Sequence, residues 1–243
     1  MRLLTLITVL FSIMISESVV AQEKLTIATG LKPPLVSSAA HKGFLDTLAV
    51  ELFRRINIDL EVVVVPAKRA LVNANSGVDD GNLLRIKGLE KSYPNLVRVP
   101  ETIFSSEFIG YSMKQSQLNG DWKMLTDYNV AYVRGWKIFE NNVPNRENSI
   151  VVGDATQMFN MLKEGHVDVA LYEKWQGLFL ANKVGLTNVH LLEPPFVRLN
   201  MYMYLNKKHK LLIPKVSREL IKMKQDGSYQ KIFNQTLGVL LNR

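Results

Sequence analysis

Two rhythms of hydrophobic and polar residues exchange places repeatedly along this chain. Leu25-Thr26-Ile27-Ala28 reads as a short strand that leads into a turn-rich stretch at Pro33-Pro34. Phe44, Leu45, Leu48, Ala49, Leu52, Phe53 and Ile56 then recur at helical spacing, which predicts a helix from about Gly43 to Arg55. Asp59 to Val65 contains Leu-Glu-Val-Val-Val-Val, a run continuous enough to predict a buried, parallel strand. A helix beginning at Ala67 should stop at Gly77, with a short strand or turn at Asp79-Asp80-Gly81-Asn82. Strand, helix, strand, helix is the pattern of an α/β layer architecture.

The pattern then restarts. Asn129 to Val133 is a predicted strand running into Arg134-Gly135-Trp136, after which a helix begins, and Ser149 to Val152 is another strand. Asp154 is placed to cap a helix carrying Met158, Phe159, Met161 and Leu162, with Gly165 as its stop. Val167 to Leu171 follows as a strand and Glu173 to about Asn182 as a helix; Leu199 to Leu205 is a late strand. Amphipathic helices from Leu212 to about Leu241, interrupted at Asp226-Gly227, close the chain. Two α/β blocks in series are therefore expected.

The N-terminus changes the compartment. Met1-Arg2, the apolar run Leu3 to Ile15 and the small residues of Val19-Val20-Ala21 form the three parts of a cleavable secretory signal, with the cut expected after Ala21. The run ends at Ser16-Glu17, short of the roughly 20 apolar residues that an anchor needs. Gln22 follows the cut where a lipoprotein would carry cysteine, so a freely diffusing periplasmic protein is expected. The chain has no cysteine at all, and its stability must come from a hydrophobic core rather than a disulfide framework. The excess of 30 basic over 22 acidic residues reads as a solvated basic surface or as steering of anionic or zwitterionic solutes, and export argues against nucleic acid as a partner.

Familiar chemistry is missing. No G-x-S-x-G, G-x-G-x-x-G, Walker loop or H-E-x-x-H motif occurs. His41, His166, His190 and His209 have no metal-ligand spacing, and Glu51, Glu107 and Glu164 have no sequence partner for acid–base work. Neither cofactor nor metal is expected.

The order of segments does carry a signal. Leu25-Thr26-Ile27-Ala28 before Pro33-Pro34 comes first, followed by Arg69-Ala70-Leu71 leading to Gly77-Val78-Asp79-Asp80-Gly81 and Arg85, and then by Tyr93-Pro94-Asn95-Leu96. After these come Arg134-Gly135, Met158 to Leu162, Gly165, Val167-Asp168 and Glu173. This order resembles the family 3 type of periplasmic solute-binding proteins over nearly the whole mature chain. The resemblance implies a type II periplasmic-binding-protein fold: two α/β lobes joined by two crossing strands that close on solute like a hinge. Residues 22–110 with 200–243 would form one lobe and 111–199 the other, with crossings near Phe108 to Met113 and Leu199 to Leu205.

The same resemblance implies a ligand site. Arg85 falls where the family has its carboxylate-binding arginine, with Asn82 just before it; pairing of Arg85 with Asp79 or Asp80 is the alternative. Glu173 falls where an aspartate usually accepts the ligand ammonium, and a helix-capping role is the alternative. Gly135 and Trp136 fall at a helix start suited to an anion, unless Trp136 only packs. Arg69 is placed either in the cleft or at an exposed helix position. Leu35 and Ala67-Lys68 stand where amino-acid binders carry aromatic side chains, which departs from the family's amino-acid pattern. The implied function is non-enzymatic binding of a small polar or zwitterionic solute by a monomer, for delivery to an ABC permease. A sensor receptor in the inner membrane, or a dehydratase-like enzyme on the same fold, are the alternatives.

Overall fold

A computed structural model describes residues 24–37, 42–115, 118–144 and 147–241. The predicted signal segment 1–21 and His41 lie outside the described residues. The first block is β1 (Lys24–Thr29), α1 (Phe44–Arg54), β2 (Asp59–Val64), α2 (Ala67–Ser76), β3 (Gly81–Arg85), β4 (Leu96–Arg98) and β5 (Phe104–Ser112). The second is β6 (Val130–Val133), the single turn α3 (Lys137–Glu140), β7 (Ser149–Val152), α4 (Ala155–Lys163), β8 (Val169–Glu173) and α5 (Lys174–Lys183). A long strand β9 (His190–Asn206) and the helices α6 (Ile213–Gln225) and α7 (Ser228–Thr236) complete the chain.

Strand order is β2-β1-β3-β9-β5-β8-β6-β7, with β4 also on β9. Parallel triads, β2-β1-β3 and β8-β6-β7, form the two ends. Each triad is built from strand–helix–strand units, whose crossovers demand parallel pairing. Antiparallel β5 and β9 join them, with Phe104 to Phe108 lying against Met201 to Val197. The strand from Asp59, expected to be buried on the strength of its continuous apolar run, is instead an edge strand: Asp59 and Glu61 are exposed, and only Leu60 and Val62 are fully buried. Having one neighbour and one covered face, it follows a half-buried alternation despite its composition.

The C-terminal helices return to the first block. Phe44 at the start of α1 packs in edge contacts on Tyr229 and Phe233 of α7 and in a tilted contact on Phe104 of β5, with ring centroids 5.4 to 5.7 Å apart. Trp175 of α5 meets Phe233 at 5.1 Å, bringing the second block onto the same helix. Among the described residues no helix is long and apolar enough to cross a membrane.

Candidate functional site

The loop after β1 is held from beneath. Lys32 and Val36 exchange backbone hydrogen bonds at 3.2 and 2.9 Å, and the Asp46 carboxylate accepts from the Ser37 and Gly43 N–H groups. Gly43 is needed here because a Cβ at that position would lie 2.7 Å from the Leu35 carbonyl oxygen. This clamp turns Leu35 and Val36 fully into the core and leaves Leu31, Lys32 and Pro33 outside it, Leu31 exposed and the other two half-buried. Leu35, a candidate ligand contact, is thus a plug of the core.

Leu31, Lys32 and Pro33 form one wall of a cavity of about 350 Å³, and residues of the second block form the other: Val133, Asp154, Tyr172, Gln176 and Phe179 among them. The volume is within the range of small-molecule sites. A second opening, of about 420 Å³, is lined by Gly30, Lys32, Val64, Pro66 and Ala67. Lys32 borders both. Its Nζ is enclosed and has no hydrogen-bond partner among the described residues. Burial, with a further push from the nearby Arg85 charge, brings its pKa down to about 8.

Arg85 lies near Lys32. Leu84 adopts φ +60° where the β3–β9 register shifts between Asn82 and Arg85. Such an irregularity re-aims the following side chain. The Arg85 guanidinium donates from Nε to Asn82 Oδ1 at 2.5 Å and from Nη2 to the Ala67 carbonyl at 3.0 Å. Burial lowers its pKa from the usual arginine value. Neither Asp79 nor Asp80 serves as its partner: the Asp80 carboxylate is held by Lys208 Nζ, His209 Nε2 and the Thr26 N–H. Asn82 is fully buried, and its Nδ2 has no partner among the described residues. Arg69 is exposed on α2.

The second block's candidates sit differently. Glu173 caps α5, its Oε2 accepting from the Gln176 N–H at 3.0 Å and Nε2 at 3.3 Å, while Oε1 is buried without a partner among the described residues. Desolvation raises its pKa to about 7 against the pull of the Gln176 hydrogen bonds. The cavity wall is formed by its neighbours Tyr172 and Gln176. Gly135, at φ +86°, donates its N–H to Glu140 Oε1 at 2.7 Å, and the Trp136 N–H goes to the Val133 carbonyl. The Trp136 ring packs on Tyr172, Phe139 and Phe108 with centroids 4.6 to 5.9 Å apart. The fold therefore joins Arg85 with Asn82 and adds Lys32 and the start of α2; Glu173, Gly135 and Trp136 belong to the second block and line neither of these two cavities. Lys32 was not among the sequence candidates, although one lysine amid Leu31, Pro33, Pro34, Leu35 and Val36 is the visible signal.

The chain has the two-lobed fold of the type II periplasmic binding proteins. It superposes on an ancestral cationic amino acid solute-binding protein with a TM-score of 0.72 at 16% identity, covering 88% of this chain and 95% of that one. Against the GluR0 ligand-binding core in complex with L-glutamate the TM-score is 0.70 at 13% identity, over 89% and 99% of the two chains. Against a histidine kinase sensor domain with similarity to periplasmic binding proteins it is 0.67 at 15% identity, over 90% and 96%. In sequence, the chain is 26% identical over 183 residues to an uncharacterized protein of Shewanella oneidensis, spanning 71% of this chain and 67% of that one. No protein-family model matches.

Proposed function

We propose that this protein is an exported solute receptor that encloses a small polar solute between its lobes, taking hold of a negatively charged group on it. The lobes of this reading are residues 22–110 with 200–243, and 111–199. The observation that carries it is Lys32, whose enclosed ammonium has no partner among the described residues and borders a cavity lined by both blocks of the chain. A buried cation without a counter-charge is unfavourable, and an anionic ligand removes that penalty. Arg85, close enough to depress the Lys32 pKa, adds a second positive charge beside it. Binding rather than catalysis fits the second lobe, where the Glu173 carboxylate is engaged as a helix cap. Delivery to a membrane partner, either an importer or a sensor, belongs to the same reading.

The test is a thermal-shift screen of the purified protein against amino acids, organic acids, polyamines, phosphorylated metabolites and short peptides. A ligand at about 100 times its Kd should stabilise by ~2.7 kcal/mol, a visible rise in melting temperature. Solute recovered unchanged after release separates binding from turnover. If no class raises the melting temperature at millimolar concentration, the reading is wrong.

A further inference from the structure

The acceptors nearest Arg85 are already engaged. Asn82 Oδ1 and the Ala67 carbonyl are both taken by Arg85, which leaves Lys32 Nζ and Asn82 Nδ2 unmatched among the described residues. Ala67 opens the ten-residue helix α2, which begins without a capping side chain and without an acidic residue in its first turn. That turn carries Lys68 and Arg69 instead. A helix N-terminus already bears partial positive charge, so the Lys32 and Arg85 charges beside this one add to a field that favours an anion.

The donor geometry narrows the anion. A flat carboxylate is held bidentately by two parallel N–H donors of an arginine, side-on through Nε and Nη2 or end-on through the two Nη atoms. The side-on pair of Arg85 already donates within the protein, through Nε to Asn82 and through Nη2 to Ala67. The unmatched donors of Lys32 and Asn82 and the uncapped start of α2 lie on separate segments, an arrangement that suits an anion with acceptor oxygens in several directions. Two formal charges, on Lys32 and Arg85, outnumber that of one carboxylate.

We propose that the solute presents a tetrahedral dianion, a phosphate monoester or a phosphonate, to Lys32, Arg85 and Asn82 at the start of α2. This rests on the solute-receptor reading and goes beyond it by naming the ligand's charged group.

Isothermal titration of the purified protein should use matched probes: serine and O-phosphoserine, ethanolamine with its phosphate ester and 2-aminoethylphosphonate, aspartate, and inorganic phosphate. The phosphorylated or phosphonate member of each set should bind at least 100-fold tighter than its unmodified counterpart. Lys32→Met should weaken it at least tenfold. Inorganic phosphate binding as well as the esters would support the site and identify the free ion as its occupant. If aspartate or serine binds as tightly as O-phosphoserine, the dianion proposal fails while the receptor reading stands. If phosphate, ester and phosphonate are all silent at millimolar concentration, the proposal also fails. Silence of every solute class in the wider screen removes the receptor reading itself.

Discussion

Glu107 on β5 and Lys174 at the start of α5 are joined by a 3.1 Å ion pair beside the strands that connect the two halves of the sheet, and both side chains are largely withdrawn from solvent. Arg198, the cross-strand neighbour of Glu107 on β9, holds the other carboxylate oxygen at 2.7 Å, and Lys174 also reaches Glu193. This network ties both connecting strands to the helix that Glu173 caps. Burial pushes the Glu107 carboxyl up, but Arg198 and Lys174 outweigh it and the net shift is downward from 4.5.

Glu107→Gln should therefore lower stability by ~1–2 kcal/mol at pH 7, since it leaves Lys174 with Glu193 but deprives Arg198 of this partner. With a folded pKa below the unfolded one, the native contribution of Glu107 is present above about pH 4.5 and is lost as pH falls through the folded value. Urea titrations at pH 7 and pH 3 measure the gap between wild type and variant. A gap as wide at pH 3 as at pH 7 would remove the ion pair from the account.

Lys32 works in the opposite sense. Its folded pKa of about 8 lies below the ordinary 10.5, so between those values the unfolded chain binds the extra proton and stability rises with pH. Below pH 8 the penalty is fully present. Lys32→Met should stabilise the empty protein by ~1–2 kcal/mol at pH 7, with the advantage shrinking toward pH 10.5. Paired denaturant titrations at pH 7 and pH 10 check this, and a variant less stable than wild type at pH 7 contradicts a strained ammonium.

Glu173 differs again, because its folded pKa of about 7 lies above 4.5. The folded state binds the additional proton between those values, and stability declines as pH rises from 4.5 through 7. Glu173→Gln keeps the shape of the helix cap without a titrating charge. It should be close to wild type at pH 5 and more stable by ~1–2 kcal/mol at pH 8. Melting curves across that range decide the matter; parallel pH profiles for the two proteins would mean that Oε1 finds compensation in solution.

Much of the architecture was legible because periodicity reports which face of an element is covered. Phe44 to Phe53 spell a one-faced helix, Gly77 at φ +84° ends α2 as predicted, and Asp154 caps α4 through the Gln157 N–H. The run at Asp59 misled because composition reports how apolar a strand is, whereas burial depends on how many neighbours it acquires in the sheet.

The site was legible only in part. Arg85 and Asn82, three residues apart, share one hydrogen bond and were within reach of a sequence reading. Lys32 lies more than fifty positions away from Arg85, and only the parallel pairing of β1 with β3, by Ile27 and Ala28 against Gly81 and Asn82, brings the ends of the two strands together. Local pattern thus determined the α/β blocks, the caps, the stops and the absence of cysteine chemistry, because each depends on residues a few positions apart. The tertiary structure decided the rest: the clamp of Asp46 that turns Leu35 inward, the bulge at Leu84 that folds Arg85 back toward α2, and the cavity that Lys32 shares with residues of the second block. Burial and charge proximity, which determine what a lysine or a carboxylate can do, are properties of contacts between distant segments, and no local spacing encodes them.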